Sequence, residues 1–379
     1  MADDDTNDYL TLSRRDDDEL AARLTAWLAG RDGVGDDVAV DAVDRPSTNG
    51  VSSETMLFDA SWGGERRRFA ARLRPDPASF PIFPTYDLGR QVQVMRLVGE
   101  RTAAPVPTVH WHEPDEGPLG APFFVMDRVD GQVPPDVMPY PFAGSWVSDA
   151  TPEERARLQA SSVDVLAAIH GLEATPEELA FLAPEGEGSP LRRHFEAEKA
   201  YYDWVRGELR YPVLDRAFAW LEDHWPVHAE AAPAVLSWGD ARIGNMMYRD
   251  FEPVAVFDWE MAALAPRELD LAWFVFLHRF LDDIAVELGM GGIPGFLDRD
   301  EVAHQYAERT GHEPRDLDWF LTYAAVRHGS IMIRATGRSV HYGERPAPED
   351  HEELVMHRAT IDAMVEGRYW SSLAARTAG

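Results

Sequence analysis

The sequence predicts an α+β fold in two lobes, the first over residues 1–130 and the second, mainly helical, over residues 131–379. Three observations carry this expectation. The chain has 379 residues, too many for one small core and suited to two packed lobes. Its segments rich in β-branched and aromatic residues gather before residue 130. From Pro152 onward, apolar residues recur mainly at helical spacing.

The elements follow in order. Asp16 to Glu19 form an acidic start of capping-box-like spacing, and Leu20, Leu24, Trp27 and Leu28 then recur on one face, which predicts a helix over 17–30. After the Gly- and Asp-rich stretch from Gly30 to Asp37, strands are expected at Val38–Val43, Thr55–Trp62, Arg67–Arg74, Pro107–Trp111 and Pro122–Asp130. One helical segment, Asp87–Arg101, breaks them. Gly131 to Tyr140 carries three prolines and reads as a connector. Short apolar runs around Val235 and Val254 are the only interruptions expected in the helical lobe.

Composition removes several function classes. Hydrophobic residues make up 45% and aromatics 11%, enough apolar surface for a globular core. A net charge of -30 repels phosphate backbones and anionic lipid, so neither nucleic acid nor membrane is an expected partner. The absence of cysteine excludes disulfides, thiolate zinc sites and a cysteine nucleophile. Lys199 is the only lysine and sits in Ala-Glu-Lys-Ala, so there is no Walker loop and no lysine Schiff base elsewhere. The polar, acidic segment Met1–Asp8 is unlike a signal peptide, and the longest apolar run, Leu271–Leu277, is too short to cross a bilayer; a soluble cytoplasmic protein is expected.

An acidic chain with one lysine fits a GC-rich genome or a cytoplasm of molar salt, and we favour the second, a halophilic surface. Dense like charge destabilises the compact state until salt screens it, as the Debye length falls from about 10 Å at 0.1 M to about 3 Å at 1 M. A melting temperature that rises steeply with KCl is the expected result; a flat melt from low to molar KCl overturns the halophilic reading.

The most informative stretch runs from Leu236 to Glu260. Asp240 and Asn245 stand five apart, and Asp258 follows a hairpin expected from Met246–Tyr248 and Ala255–Phe257. Symmetric antiparallel pairing would put Asn245 opposite Asp258. With strands about 4.8 Å apart, an amide oxygen and a carboxylate could both reach one Mg²⁺ at about 2.1 Å. Asp240 would project beside that metal from the preceding loop. A phosphoryl transferase needs this set: one Asp to accept a hydroxyl proton, and an Asn and an Asp on the metal. Singly, each residue is an ordinary turn former; the joint spacing is what points to the chemistry.

With these residues in view, the chain resembles the aminoglycoside phosphotransferase and choline kinase-like family. The family pattern His-Gly-Asp-x4-Asn, Ile-Asp-Trp-Glu and Asp-Leu-Ala is matched by Trp238-Gly239-Asp240 with Asn245, Phe257-Asp258-Trp259-Glu260 and Asp270-Leu271-Ala272. Within the family it resembles bacterial proteins of this length assigned as aminoglycoside phosphotransferases, and kinase-like domains fused to acyl-CoA dehydrogenases. The resemblance implies a protein kinase-like fold, with a small antiparallel-sheet N-terminal lobe, a larger helical C-terminal lobe and ATP in the cleft between them. It also implies Mg²⁺ held by Asn245 and Asp258, with Asp240 as the catalytic residue. The segment Thr48–Thr55 looks like the nucleotide loop, offering Gly50, Ser52, Ser53 and Thr55. Leu119–Gly131 looks like the strand into the hinge, where Met126, Asp127 and Val129 would meet the nucleotide. Leu166–His170 looks like the first long helix of the second lobe.

Three features of this chain bear on that pattern. Trp238 replaces the family's His, so the imidazole's hold on the loop is lost or replaced by packing. Asp270 is expected to accept hydrogen bonds from the loop backbone, and His170 is read as a satisfied core residue. The lysine that kinase-like folds place on the third strand is absent, and Arg72 stands in its place; strand alternation puts Ala71 and Leu73 on the other face, and Gln91 replaces the helix Glu. Arg72 is therefore the expected phosphate ligand, with Arg67, Arg68 and Arg74 as alternatives and a surface arginine on an edge strand as the plain reading.

The expected function is ATP- and Mg²⁺-dependent phosphoryl transfer to a hydroxyl of a small molecule, with GTP an alternative nucleotide. A kinase of a hydroxyacyl or hydroxy acid metabolite is the second reading. A pseudokinase scaffold is disfavoured because Asp240, Asn245 and Asp258 are all present. A protein kinase is disfavoured because Asp270 follows Asp258 by only twelve residues, leaving no activation segment. Trp259, Trp273, Trp319 and Tyr323 read as core packing ahead of an aromatic cage. Glu260, Arg267, Glu268, His278, Arg279 and Asp282 read equally as a pocket border or a solvated face. Oligomeric state leaves no trace in the sequence.

Overall fold

The fold is described from a computed structural model for residues 17–44, 54–75 and 79–369. The described residues divide into two compact units, one formed by those within 17–96, 107–129 and 334–347 and the other by residues 97–106, 130–333 and 348–369.

In the first unit, α1 (Asp17–Leu28) precedes a five-stranded antiparallel sheet of β1 (Ala39–Asp44), β2 (Glu54–Trp62), β3 (Glu65–Leu73), β4 (Val109–Glu113) and β5 (Phe123–Asp127), in the order β1-β2-β3-β5-β4. The helix α2 (Leu88–Arg101) stands between β3 and β4 in the chain. Each strand and helix expected from the sequence in this region is present, with bounds shifted by a few residues. β2 alternates strictly between buried and half-buried residues, the period-2 pattern of a strand packed on one face. Gly63 and Gly64, with φ of 59° and 77°, close β2 onto β3 through the two-residue turn that needs positive φ at both positions.

The core of this unit lies between α1 and one face of the sheet. Leu20, Leu24, Trp27 and Leu28 meet Met56, Phe58, Phe69, Ala71, Leu73, Phe123 and Val125. The Trp27 ring contacts Phe123 at 4.7 Å between centroids, and its indole donates to Glu113 Oε2 at 2.8 Å. That bond, with Arg31 at 3.0 Å, holds the Glu113 carboxyl below the usual carboxylate range. Each Leu-sized side chain sealed here stabilises the fold by about 2 kcal/mol.

The second unit is mainly helical: α3 (Pro152–His170), α4 (Pro176–Leu179), α5 (Pro190–Arg206), α6 (Pro212–Asp223), α7 (Val227–Glu230), α8 (Glu268–Glu287), α9 (Arg299–Thr310), α10 (Leu317–His341, its end from Arg334 grouping with the first unit) and α11 (Arg358–Val365). α3 starts on a capping box: Thr151 Oγ1 accepts from Glu154 N, and Glu154 Oε2 accepts from Thr151 N at 2.8 Å, with Pro152 at the first helical position. Two short two-stranded sheets interrupt the helices, β6 (Val235–Ser237) with β9 (Ala263–Ala265), and β7 (Met246–Arg249) with β8 (Glu252–Val256). β9 was not expected; three residues are too few to show a periodicity. α8 is buried along most of its length, which is why Leu271–Leu277 reads apolar without a polar stripe. Among the described residues no helix is long and apolar enough to cross a membrane.

Three buried histidines are expected to make this unit acid-sensitive. His328 and His357 lie 4.9 Å apart between ring centroids against Phe276 and Phe280, and His278 stacks on Tyr140. Burial pushes His357 down to about 4 and His278 to about 3 from 6.5, and lowers His328 as well. Above pH 6.5 these rings are neutral in both the folded and unfolded chain. Below it the unfolded chain takes up the protons first, so stability falls as pH drops from 6.5 toward about 4. For His357 alone the loss is about 3 kcal/mol. Urea unfolding across that window checks this, and His357→Phe should make the fall shallower; an unchanged slope would contradict the assignment.

Candidate active site

The site in the second unit is built on a buried carboxylate. Asp270, in the first turn of α8, is fully buried and accepts four hydrogen bonds: from Ser237 Oγ at 2.7 Å, Trp238 N at 2.6 Å, Gly239 N at 2.8 Å and His170 Nε2 at 2.9 Å. Burial alone would raise this carboxyl; the bonds, led by that from His170, hold it below its usual range instead. Tyr306 contacts the other ring nitrogen of His170 at 2.8 Å, which fixes the imidazole. The β6/β9 pair, in register Val235↔Ala265 to Ser237↔Ala263, delivers Ser237 to the carboxylate at one end and leads into α8 at the other. So Asp270 pins the loop that follows β6, as the sequence suggested, and His170 is a satisfied core residue that also braces the pin.

Gly239 is required by close approach. Its φ is 89°, and a Cβ there would stand 2.0 Å from the Met261 carbonyl oxygen. The loop then presents Asp240, whose side chain is 17% exposed and whose two oxygens are both held. Oδ1 accepts from Trp273 Nε1 at 2.7 Å; Oδ2 accepts from Asn245 Nδ2 at 2.6 Å and, more weakly, from Arg242 Nε at 3.4 Å. Arg242 is fixed in turn by two bonds of 2.8 Å to Asp136. Although burial lowers its pKa, Asp240 and Asp136 outweigh that and raise it, so the guanidinium is charged.

The structure corrects the hairpin register. β7 and β8 pair Met246↔Val256 and Met247↔Ala255, and Asn245 O accepts from Phe257 N at 2.9 Å, so Asn245 stands opposite Phe257 and not Asp258. The turn is a tight pair, Asp250 and Phe251, with φ of 52° and 63°; it sets Arg249 opposite Glu252, two residues from the symmetric pairing, and a bulge between Met247 and Tyr248 recovers one of the two. Asp258 lies beyond the ladder with φ of 58°, turning the chain out of the strand line. The symmetric pairing of two three-residue runs missed this because neither the turn length nor a bulge is encoded in an alternation pattern.

Trp238 was expected at most to pack. It is fully buried, and its indole N–H also bridges two carbonyls, those of Phe257 at 2.9 Å and Asp258 at 3.1 Å. The residue that replaces the family's His thus ties the loop of Asp240 to the loop of Asp258. Among the described residues no cluster of three or more His, Asp or Glu side chains could hold a metal ion by itself. A site of one carboxylate and one amide oxygen remains chemically apt for Mg²⁺, which keeps waters and takes phosphate oxygens. Because Asp240 is an acceptor, Asn245 must turn its NH₂ toward it, and its Oδ1 is left for a cation.

In the first unit, Thr55 stands opposite Arg72 in the β2/β3 register. Arg72 is 8% exposed and lies on the face away from Ala71 and Leu73, which belong to the α1 core. Met126 is buried, Val129 half-buried, and the Asp127 carboxylate is engaged by His110 Nε2 at 2.6 Å. Gly50, Ser52 and Ser53 lie outside the described residues.

Residues 50–314 match the model of the phosphotransferase enzyme family, APH, well over half of the chain. The chain belongs to that family. A crystal structure from Ralstonia eutropha, provisionally assigned as an aminoglycoside phosphotransferase, superposes on this phosphotransferase family member with a TM-score of 0.66 at 21% identity, covering 92% of this chain and 98% of that one. A thermostable mutant of the aminoglycoside phosphotransferase APH(4)-Ia, in ternary complex with AMP-PNP and hygromycin B, gives 0.52 at 17%, covering 90% and 98%. Both share the kinase-like fold. Among curated proteins the probable acyl-CoA dehydrogenase IBR3 of Arabidopsis thaliana is 24% identical over 303 residues, 76% of this chain. The chain spans about a third of that relative's length, 35%.

Sequence reasoning on this phosphotransferase family member missed Trp273, Arg242 and Asp136. Trp273 carried a usable signal, because it follows Asp270 by three residues and so shares its helix face. Of the residues left between a pocket border and a solvated face, Glu268, His278 and Asp282 are buried. Trp259, Trp319 and Tyr323 are core residues, and Trp259 packs against Trp238 at 5.8 Å, apart from the Trp319–Tyr323 pair.

Proposed function

We propose that this protein is an ATP- and Mg²⁺-dependent phosphotransferase of the cytoplasm that moves the γ-phosphoryl group to a hydroxyl of a small molecule. The observation that carries the reading is Asp240, fixed through both oxygens on a loop pinned by Asp270, with the Asn245 amide turned so that its oxygen is available. In the reaction the acceptor hydroxyl loses its proton to Asp240 while its oxygen bonds to the γ-phosphorus and the β–γ bridging P–O bond breaks, releasing ADP. Asn245 and Asp258 would hold the metal, which supplies charge neutralisation at the phosphates. Arg72 is assigned to the nucleotide phosphates, with Thr55 beside it and with Met126, Asp127 and Val129 on the nucleotide side. Since His110 occupies the Asp127 carboxylate, a contact from Asp127 is left to its backbone. Arg74, whose guanidinium is paired with Glu116, is not assigned the role.

The complex of the APH(4)-Ia mutant with AMP-PNP supports an adenine nucleotide. Transfer to a protein is disfavoured by the twelve residues from Asp258 to Asp270, which leave no peptide platform. Screening hydroxylated metabolites and antibiotics for acceptor-dependent ADP release in high KCl tests the reading, and the absence of release with every class would overturn it. For the metal, Asp258→Ala should weaken Mg²⁺-dependent nucleotide binding far more than Asn245→Ala, because a carboxylate carries a full charge and an amide only a dipole. Calorimetric titration with and without Mg²⁺ reads this, and equal small effects would remove the two-ligand metal site.

A further inference from the structure

We propose that Arg327 is a positioning residue for Asp240, acting through Trp273. Arg327, on α10, is 1% exposed, and Glu198 on α5 accepts from its Nε at 3.1 Å. Its guanidinium carbon lies 4.7 Å from the centroid of the Trp273 ring. Trp273 in turn donates from Nε1 to Asp240 Oδ1 at 2.7 Å. Glu198, Arg327, Trp273 and Asp240 therefore form one continuous series of contacts ending on the carboxylate that receives the proton.

Two facts argue that the charge is there for more than packing. Nη1 and Nη2 of Arg327 are both buried without a hydrogen-bond partner, an arrangement that costs stability and that an apolar side chain of similar size would avoid. The surface it presents to the site is the face of one indole, whose edge holds Asp240. A cation over an indole face is attracted to the ring, restricts its rotation and draws density from it, which strengthens its N–H as a donor. Arg327 thus sets the angle and strength of the bond that fixes Asp240 Oδ1, while Asn245 fixes Oδ2. The Tyr323 ring also lies 5.8 Å from the same guanidinium and is bonded through its hydroxyl to His194 at 2.8 Å.

The proposal rests on Asp240 as the proton acceptor, and the test separates the two. The protein has twelve tryptophans, so ¹⁵N-tryptophan labelling yields a countable set of indole N–H signals, with Trp273 identified by its loss in Trp273→Phe. Arg327→Met keeps the length and removes the charge; it should speed hydrogen exchange at the Trp273 indole about tenfold or more, while Arg327→Lys stays near wild type. Glu198→Gln, which loosens the anchor and leaves the guanidinium, should give an intermediate value and covers the case in which Arg327→Met does not fold. Unchanged exchange in Arg327→Met, or in Glu198→Gln if the former does not fold, overturns the proposal, as does equal loss in Arg327→Lys. In ADP release from MgATP with water as acceptor, Arg327→Met should lower kcat about tenfold with the KM for ATP nearly unchanged, and add little in a Trp273→Phe background. Additive losses would mean that Arg327 does not act through Trp273. If Asp240→Asn hydrolysed ATP like wild type, the proton-acceptor reading would fail, and indole exchange would still decide the Arg327 contact.

Discussion

Asp240→Asn is expected to lower phosphoryl transfer by about a thousandfold or more while ATP still binds. The change removes the proposed proton acceptor. It also turns one oxygen into an NH₂ group that must face a donor, either Trp273 Nε1 or Asn245 Nδ2, since both carboxylate oxygens are held in the native loop. Steady-state kinetics on the true acceptor, with nucleotide binding measured separately, checks the result. Turnover near the wild-type rate would mean that another group takes the proton.

The second large effect belongs to Asp270. Asp270→Ala should lower the unfolding free energy by about 4 kcal/mol and reduce turnover by about a hundredfold or more. Four buried donors lose their acceptor at once, those of His170, Ser237, Trp238 and Gly239. Trp238 and Gly239 immediately precede Asp240, so the loop that carries the proposed proton acceptor loses its anchor together with the core. Denaturant unfolding and kinetics on the same preparation separate the two losses, and a variant that melts and turns over like wild type would show that the four bonds are replaceable by water.

The first unit was largely legible from the sequence. Leu20, Leu24, Trp27 and Leu28 mark one helical face, and all four are buried. The alternation that sets Arg72 apart from Ala71 and Leu73 is a consequence of the strand's period of two, and the α1 core takes up the latter pair. The spacing of Asp240 and Asn245 also survived folding as a contact, because five residues of loop and short 3-10 turn bring the amide back to the carboxylate at 2.6 Å. The register of the following hairpin did not survive, since the tight turn at Asp250 and Phe251 sets it and a bulge only partly restores it, and neither is encoded in side-chain alternation.

Thus the sequence by itself determined the two-part α+β organisation, the family and the identity of the candidate chemical groups, all of which depend on residue types and on separations of a few positions. Only the tertiary structure decided what holds those groups. Trp273 reaches Asp240 from 33 residues away and Asp136 reaches Arg242 across 106, while Trp238 grips the Asp258 carbonyl across 20. Such partners are selected by which helix faces and loops meet when apolar surface is buried, and short-range patterning does not encode that meeting.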